Sequence, residues 1–291
     1  MTCMIDNPKQ TIQWFPGHME KAKRNIIKCL KLVDAVAEIR DARLPESSKN
    51  PDLDSIIGDK PRIILLNKSD YADAYATEKW IEYYRLKGIT AIAVDCRTGK
   101  GVNAFIPSVK RVLEPVMRRN EQRGMPGKAL RIMVVGIPNI GKSSFINRMA
   151  KKNKAIVANK PGVTKANQWF NIGNGVELLD TPGVLWPKFD DASVGDKLAF
   201  SGAVKAEIMD PEIMACRLIG FMKESYHDRL ESRYKLSDIS GMEDYEILEL
   251  IGRKRGMLIS GGEIDTLRAA KMLMTEFKDG VLGKITYEMP G

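Results

Sequence analysis

Cysteine is scarce in this 291-residue chain, and its placement excludes two common uses. Cys3, Cys29, Cys96 and Cys216 are scattered, without the paired spacing of a zinc site or a disulfide framework. Long apolar runs are also missing, since Ile63–Leu66 is too short to cross a membrane and fits a buried strand. The N-terminus lacks the apolar core of a secretion signal, and the chain has no lipidation motif. We therefore expect a reducing cytoplasm and no membrane partner.

Acidic residues are too few to balance the basic ones. The chain has 46 Lys and Arg against 37 Asp and Glu, a net charge of +9. Residues 1–204 hold 33 of the basic and 21 of the acidic residues, whereas residues 205–291 hold 13 and 16. Basic residues cluster at 21–31, 110–131 and 151–165. Such a surface suits a polyanion, because neutralising phosphates releases condensed counterions. A solvated basic face would explain the charge equally well.

The order of apolar segments predicts the fold class. Short apolar runs typical of buried strands lie at 35–39, 62–66, 91–94, 131–135 and 176–179. Helical patterns separate most of them, which favours an α/β domain with a mostly parallel sheet flanked by helices. We expect this domain over residues 1–204. After Ala203 the strand pattern stops, which predicts a small all-helical domain over 205–291 and a boundary near 204–210.

Two helices of the first domain have clear apolar faces. A basic amphipathic helix should follow Trp14–Met19, with an apolar face formed by Ile26, Ile27, Leu30 and Val33. A second helix is predicted over 77–87, with Thr77 as its N-cap.

Proline and glycine mark the end of the first half of the chain. A helix predicted over 102–119 should be bent or broken near Pro107 and Pro115, because proline lacks an N–H group and crowds the preceding turn. The charged segment Arg118–Lys128 carries Gly124, Pro126 and Gly127, so we expect a linker there.

A phosphate-binding loop is predicted at Gly136–Ser143, which fits the pattern G-x-x-x-x-G-K-[ST]. A predicted strand precedes it and a helix follows it. In such a loop, backbone N–H groups and the helix N-terminus hold phosphates. Lys142 would reach the β- and γ-phosphates, and the Ser143 hydroxyl would bind Mg²⁺. The alternative is a chance match in a tight turn. The predicted strand before the loop and the helix after it make this alternative much the weaker interpretation.

A guanine-binding motif is predicted at Asn67–Asp70, just after a buried strand. The Asp70 carboxylate can accept two hydrogen bonds from adjacent N–H groups of guanine. Adenine has an acceptor there and lacks the exocyclic amine, so it would leave the acid unpaired. Alone, this tetrapeptide could be a surface turn. Together with a phosphate loop, it favours GTP over ATP.

The segment Asp180–Gly183 follows the last predicted strand. Asp180 would hold Mg²⁺ through water, and the Gly183 N–H would meet the γ-phosphate. Thr164 lies between the phosphate loop and Asp180, so it is expected to close on Mg²⁺ in the GTP state; a simple loop role is the alternative.

The order of these motifs is permuted, because the guanine motif precedes the phosphate loop by about seventy residues. The set resembles the circularly permuted GTPases of the ribosome biogenesis GTPase A family, also called YlqF-type. The motifs that carry the resemblance are Pro16–Met19, Asp41–Pro45, Asn67–Asp70, Gly136–Ser144, Gly162–Thr164 and Asp180–Gly183.

The resemblance implies a bacterial factor that acts late in large ribosomal subunit assembly, with a helical C-terminal domain on ribosomal RNA. The base-backing loop departs from the usual Ser-Ala, since Asp95, Cys96 and Arg97 stand there. Expected GTP contacts are therefore Asn67, Lys68, Ser69, Asp70, Asp95, Cys96, Arg97, Asn139, Ile140, Gly141, Lys142, Ser143, Ser144, Thr164 and Gly183. We expect a monomer away from the ribosome.

The residues that activate water are not obvious. Many GTPases place a glutamine after the glycine of this last motif, whereas this chain has Val184 and then Leu185, so intrinsic hydrolysis should be slow. His18 could reach the site or could merely orient the N-terminal segment. Asn139 resembles the asparagine of potassium-activated GTPases or serves loop geometry alone. A group from the ribosomal particle is the third option. We assign catalysis to His18, Lys142, Thr164 and Gly183, and we expect Asn139 to be a ligand of K⁺.

RNA contacts are expected in both domains. Arg253, Lys254 and Arg255 lie between Gly252 and Gly256, and a short basic loop suits contact with RNA phosphates, although a solvated turn is the alternative. The net charge of −3 over 205–291 argues that this loop does not act alone. We therefore add the basic helix, represented by Lys21, Lys23 and Arg24.

Two other functions remain open. A signalling switch with a protein or membrane partner would bind independently of salt and RNase. A metabolic kinase would transfer phosphate to something other than water.

Overall fold

The computed structural model describes residues 16–152, 157–158, 168–183, 192–203 and 210–291. The strands are β1 (Ala35–Asp41), β2 (Arg62–Asn67), β3 (Thr90–Ala93), β4 (Leu130–Val135), β5 (Val157–Ala158), β6 (Gln168–Asn171) and β7 (Val176–Asp180). The helices before residue 204 are α1 (Pro16–Leu30), α2 (Asp52–Ile57), α3 (Ala74–Leu86), α4 (Phe105–Val112), α5 (Glu114–Gln122), α6 (Lys142–Lys152) and α7 (Ala192–Ser201). The remaining helices are α8 (Pro211–Ser225), α9 (His227–Tyr234), α10 (Asp244–Lys254) and α11 (Thr266–Lys278).

The strands form one sheet in the order β3-β2-β1-β4-β7-β6-β5. The first five strands in this order are parallel, whereas β6 runs antiparallel to both of its neighbours, β7 and β5. The predicted fold class is confirmed, and each of the five predicted strands forms within one or two residues of its expected bounds. The antiparallel pair was not predicted, because two strands of two and four residues leave little apolar pattern.

Charged residues in the buried strand β1 pair with one another. All seven of its residues are buried, including Glu38 and Arg40. These two are i and i+2, so they share one face of the strand. The Arg40 guanidinium donates from Nε and Nη2 to the two carboxylate oxygens of Glu38, at 2.9 Å each, and from Nη1 to the Tyr84 hydroxyl at 2.8 Å. Pairing makes the burial of both charges tolerable.

The helix predicted over 77–87 begins three residues earlier. Asp73 is the N-cap of α3, and its carboxylate accepts a hydrogen bond from the Ala76 N–H at 2.9 Å. Thr77, the predicted cap, lies in the first turn, and its hydroxyl donates to the Asp73 carbonyl at 2.7 Å. The cap prediction was wrong because Asp and Thr are both good caps, and the sequence offers both within one turn.

The predicted break in the helix over 102–119 is confirmed, and it lies at Leu113, two residues before Pro115. A 3-10 turn over Val102–Ala104 leads into α4, and α5 begins at Glu114 with Pro115 in its first turn. Pro107 lies in the first turn of α4, where its missing N–H group has no intrahelical acceptor to lose. The expected linker is shorter than predicted, since α5 continues to Gln122.

The first helix turns a slightly different face to the sheet than predicted. Ile26, Leu30 and Val33 are buried, as expected, but Ile27 is 45% exposed and Cys29 takes its place on the inner face. A helical face of four residues includes positions i, i+3 and i+4, and the pair Ile26 and Ile27 cannot both lie at its centre.

The helices after residue 210 pack around their own apolar core. Ile247, Leu248, Ile251 and Leu273 are buried in it, whereas Leu267 is 41% exposed. The predicted basic loop is wrong in part: Gly252, Arg253 and Lys254 belong to α10, and Arg255 is its C-cap. Gly252 is buried, and a Cβ there would meet the Ile264 side chain at 2.6 Å, so glycine is required for space. Its role is therefore helix packing.

Helix α7 belongs to both cores. Leu198 packs in the core under the sheet, whereas Phe200 packs with Phe277 and Tyr287 in the core of the helical part. The domain boundary expected near 204–210 falls almost entirely outside the described residues. Among the helices that are described, none has both the length and the apolar character needed to cross a bilayer.

Candidate nucleotide-binding site

Four neighbouring parallel strands end at one edge of the sheet, and the predicted motifs follow them. In register, Asp41 of β1 lies beside Asn67 of β2, and Asp180 of β7 lies beside Val134 of β4. The phosphate loop begins directly after β4 at Gly136. Loops at the carboxyl ends of parallel strands are where open α/β sheets bind ligands. The two halves of the predicted site, which the permuted order separates along the chain, are therefore adjacent in space.

The phosphate loop connects β4 to α6 through residues with left-handed backbone. Asn139 has φ of 56° and Gly141 has φ of 103°. A side chain at Gly141 would meet the amide nitrogen of Asn67, so glycine is required there for space as well as for φ. The Asn139 side-chain amide donates to the Gly202 carbonyl at 3.2 Å. The loop thus touches both the guanine motif and the end of α7.

Lys142 and Asp180 are partly buried charges of opposite sign. Burial lowers the pKa of Lys142, and the negative charge of Asp180 opposes that shift. Burial likewise raises the pKa of Asp180, opposed by Lys142 and by a hydrogen bond from the Thr181 backbone. Both shifts show that burial disfavours the charged forms of these two side chains. A phosphate next to Lys142 and a cation next to Asp180 would favour the charged forms. Gly183 lies against the ammonium, since a Cβ on it would be 2.9 Å from Lys142 Nζ.

The donors at this edge fit Mg²⁺. Mg²⁺ prefers oxygen ligands and is usually held by one or two protein groups together with phosphates. Ser143 stands at the start of α6, and the Asp180 carboxylate ends the adjacent strand β7. Thr164, the third expected ligand, lies outside the described residues. Phosphate oxygens and water would complete the coordination, as is usual for Mg²⁺.

Asn67 connects the three loops of the site. Its side-chain nitrogen donates to the Ile140 carbonyl of the phosphate loop at 2.8 Å. Its side-chain oxygen accepts from the Cys96 N–H of the base-backing loop at 3.1 Å. Asn67 itself is the last residue of β2 and is buried. One amide therefore sets the spacing between the guanine, phosphate and base-backing loops.

Lys68 and Ser69 hold the guanine loop to its surroundings. Lys68 has φ of 61°, a conformation that turns the chain sharply after β2. Its ammonium lies 3.0 Å from the buried carboxylate of Asp41. The Ser69 N–H donates to the Val94 carbonyl at 3.2 Å.

Asp70, the expected reader of guanine, already has a partner. The Arg97 guanidinium donates to Asp70 Oδ2 at 2.9 Å. Both side chains are accessible, with 68% of Arg97 and 20% of Asp70 exposed, so the pair is exchangeable. Arg97 presents N–H groups to the carboxylate as guanine would. A bound base must share Asp70 with Arg97 or displace it.

The base-backing loop is organised by its own acid and by helix α6. The Asp95 carboxylate accepts from the backbone N–H groups of Arg97 and Thr98. Burial raises the pKa of the Cys96 thiol to about 12, so it is a packing group at neutral pH. Arg148 of α6 donates to the carbonyls of Cys96 and Arg97. Nothing in the sequence pattern indicated this role for Arg148.

Asp41 and Arg43 form a buried ion pair beside the guanine loop. Arg43 Nε and Nη2 donate to the two oxygens of the Asp41 carboxylate at 3.0 and 2.9 Å. Burial alone would raise the pKa of Asp41, but Arg43 and Lys68 outweigh it and hold the pKa well below its usual range. Both residues belong to Asp41–Pro45, a motif that the sequence marked without assigning it a role.

The other predicted site residues lie in the phosphate loop and at the starts of α6 and α1. Ile140 is buried under the phosphate loop, and Ser144 is exposed in the first turn of α6. The backbone of His18 lies in the first turn of α1, while its side chain is outside the described part of the structure.

The expected RNA-binding residues are on the surface of two separate regions. Lys21, Arg24, Arg253 and Lys254 are exposed, and Lys23 pairs with Asp52 at 3.1 Å. Arg255 is more constrained, since it lies over the Tyr234 ring and 3.8 Å from Glu276.

A phosphate loop and a guanine motif at one edge of a parallel sheet, with the guanine motif first in the chain, define a permuted GTPase. A family profile described as 50S ribosome-binding GTPase matches residues 131–248. The chain is 46% identical to ribosome biogenesis GTPase A of Priestia megaterium, over 96% of this chain and 97% of that protein. It is 34% identical to ribosome biogenesis GTPase A of Thermotoga maritima, over 96% and 95%.

The solved structures agree with these relatives. A GDP-bound structure of TM YlqF aligns with a TM-score of 0.67 at 29% identity, over 91% of this chain and 98% of that one. The chain belongs to the ribosome biogenesis GTPase A family, and it is a GTP-hydrolysing enzyme of ribosome biogenesis.

The Asn67 amide generates a first prediction. In Asn67→Ala, the buried Ile140 carbonyl and Cys96 N–H lose their partners, so the free energy of unfolding should fall by about 1–3 kcal/mol. GDP affinity should fall at the same time, because the three loops lose their common spacer. Asn171→Ala is the control, since Asn171 is exposed at the opposite edge of the sheet. Urea unfolding and calorimetric titration measure both effects; an unchanged GDP affinity would refute the role assigned to Asn67.

Asp70 generates a second prediction. In Asp70→Asn, the side chain presents one acceptor and one donor, a pattern that suits xanthine and leaves the guanine amine unpaired. GDP affinity should fall on the order of 10²-fold or more, since such sites can reject mismatched bases by ~10⁴–10⁵. Xanthosine diphosphate should gain affinity. Asp73→Asn is the matched control in the same loop, because Asn caps a helix as well as Asp does. Retained preference for GDP would remove Asp70 from base recognition.

Proposed function

We propose that this GTPase acts in late maturation of the large ribosomal subunit. In this proposal it binds ribosomal RNA in its GTP state and leaves after hydrolysis to GDP and phosphate. The profile that matches residues 131–248 is described as a 50S ribosome-binding GTPase, and the curated relatives are named for ribosome biogenesis. Such a factor works in the cytoplasm, and we expect a monomer away from the particle.

The distribution of exposed cations is the observation that supports RNA as the partner. Lys21 and Arg24 are exposed on α1, and Arg253 and Lys254 are exposed at the end of α10. Helix α5 has no buried residue and lies on the surface with Arg118 and Arg119 exposed. Structured RNA is bound largely through its shape and phosphates, for which dispersed cations suffice. The net charge of −3 over 205–291 is consistent with contacts spread over both domains.

The nucleotide-binding roles follow from the position of each group. Lys142 and the N–H groups of the phosphate loop hold the β- and γ-phosphates, while Asp70 reads the guanine edge. Ser143 and Asp180, together with Thr164, would hold Mg²⁺, which would neutralise charge on the phosphates. Gly183, which lies against the Lys142 ammonium, contacts the γ-phosphate through its N–H.

Hydrolysis needs a substitute for the missing glutamine, because Val184 cannot orient water. We assign this role to His18, whose backbone lies in the first turn of α1. Asn139 supplies a ligand for K⁺: its amide nitrogen is engaged by the Gly202 carbonyl, which leaves the side-chain oxygen available for a cation. K⁺ would then contribute positive charge next to the phosphates.

The helical domain reads the nucleotide state through α7. Residues 184–191 connect Gly183 to α7, and α7 has side chains in both apolar cores. Asn139 contacts Gly202 directly after this helix. A change at Gly183 on loss of the γ-phosphate is therefore passed to the helical domain over a short path.

Hydrolysis in the presence of ribosomal particles tests the proposal. GTP turnover in potassium buffer should rise at least ~10-fold with large subunits, given that partner-supplied groups can accelerate GTPases by 10³–10⁵. Small subunits and naked RNA should stimulate far less. Replacing K⁺ by Na⁺ should remove the gain, and turnover insensitive to this exchange would discard Asn139 as a K⁺ ligand. Equal stimulation by both subunits, or binding indifferent to salt and RNase, would instead favour a signalling switch.

His18 is tested separately from nucleotide binding. In His18→Ala, particle-stimulated turnover should fall by about 10²–10⁴-fold, the usual contribution of a group that transfers or orients a proton. GDP affinity should stay within about twofold, because the assigned role begins only with the attacking water. The control is His227→Ala, which removes the only other histidine of the chain and lies at the start of α9. Unchanged stimulated turnover in His18→Ala would exclude His18 from the mechanism.

A further inference from the structure

Arg43 lies between the guanine loop and the helical domain. Its side chain is fully buried, with its guanidinium 5.8 Å from the centre of the Tyr71 ring and 5.4 Å from that of Phe277. Tyr71 directly follows Asp70 in the guanine loop, whereas Phe277 belongs to α11. Arg43 therefore packs against one aromatic ring from each side of the interface.

The same guanidinium hydrogen-bonds to both sides. Nε and Nη2 bind Asp41, whose Oδ2 also lies 3.0 Å from Lys68 Nζ. Nη1 donates to the carbonyls of Phe277 and Lys278 at 3.2 and 3.3 Å. These carbonyls lie in the last turn of α11, where the N–H groups of a further helical turn are missing, so a buried cation there is favourable. The Phe277 carbonyl also accepts from the Gly280 N–H at 3.1 Å. We refer to Asp41, Arg43 and Lys68 as the Asp41 cluster.

The chain after α11 contacts the guanine loop through its backbone. The Ile285 N–H donates to the Tyr71 carbonyl at 2.9 Å, and the Tyr287 N–H donates to the Arg43 carbonyl at 2.8 Å. The Thr286 hydroxyl accepts from the Asp73 N–H at 3.0 Å. Residues 285–287 therefore lie beside Arg43 and the segment Tyr71–Asp73, which directly follows Asp70.

We propose that Arg43 is a positioning residue that couples guanine affinity to docking of the helical domain, through the Asp41 cluster and residues 285–287. When the helical domain is docked, Lys68 and the loop after it are held from two sides. When it is pulled away, Arg43 loses the α11 carbonyls and Tyr71 loses its bond to Ile285. The guanine loop is then free to move, and the nucleotide dissociates faster.

The coupling works in both directions. If docking of the helical domain raises the affinity for GDP by some factor, then by thermodynamic linkage bound GDP raises the docking equilibrium constant by the same factor. A partner that grips the helical domain would therefore accelerate nucleotide release without touching the nucleotide. This inference rests on the proposed assignment of Asn67–Asp70 to guanine, which the Asp70→Asn exchange tests independently.

The experiment uses the full-length chain and two variants. Arg43→Lys keeps a cation beside Asp41, which protects folding, but it removes the forked bonds to Phe277 and Lys278. Thr286→Ala removes the acceptor of the Asp73 N–H and leaves the Asp41 cluster intact. Each should weaken GDP binding by about 5–50-fold, within the usual range of coupling between sites. The loss should be smaller for inosine diphosphate, which lacks the amine read by Asp70.

Hydrogen exchange reports docking in the same samples. The amides of Ile285 and Tyr287 bond across the interface, so their exchange should slow when GDP is added to the wild-type chain. In Arg43→Lys this GDP-dependent protection should shrink. The control is Arg233→Gln, which breaks an arginine pair with Glu276 of α11 inside the helical domain and should leave GDP affinity unchanged.

Three results would overturn the coupling. One is that adding GDP to the wild-type chain does not change hydrogen exchange at the amides of Ile285 and Tyr287. Another is a variant whose interface amides exchange fast while its GDP affinity is normal. The third is an equal loss of GDP and inosine diphosphate affinity, which would indicate general destabilisation. If Asp70→Asn switches to xanthine while these results appear, the guanine assignment stands and only the coupling is wrong.

Discussion

The pairing of β1 with β4 is the contact on which the nucleotide site depends. Ala35 lies beside Ile132, although almost a hundred residues separate them in the chain. The guanine motif begins at the end of β2, next to β1, whereas the phosphate loop follows β4 and Asp180 ends β7, next to β4. Parallel strands place all their carboxyl ends at one edge, so one pairing brings the two halves together. Permutation changes the chain order and leaves this geometry intact.

The sheet brings the loops of the site close together, and hydrogen bonds from buried polar side chains set the spacing between them. Asn67 bonds to the phosphate loop and the base-backing loop at once. The Asp41 carboxylate pairs with both Arg43 and Lys68, and these two cations stabilise its buried negative charge. Breaking a buried pair by removing one partner typically costs about 3–5 kcal/mol, so such residues tolerate little substitution. The apolar core supplies most of the stability, whereas these groups define the relative positions of the loops.

The helical domain is integrated into the site along three paths. Phe200 of α7 enters the helical core, Asn139 bonds to the Gly202 carbonyl after this helix, and residues 285–287 run along the guanine loop. Glu288 adds a further contact, since its carboxylate accepts from the Ser47 N–H and from Lys197. These contacts connect the nucleotide site to the surface of the helical domain over short distances, as the proposed coupling requires. The same contacts allow a partner on that surface to act on the nucleotide.

Local pattern was enough to predict the five parallel strands and the break before Pro115, because each depends on residues close in sequence. It also marked the two segments that are proposed to bind phosphate and guanine. The sequence did not show that Asp73 caps α3, that Gly252 is inside α10, or that Arg97 forms a hydrogen-bonded ion pair with Asp70. It also marked Asp41–Pro45 without revealing that Arg43 bonds to carbonyls 234 and 235 residues away. Those contacts depend on which surfaces meet when the two cores pack, and no local periodicity encodes that.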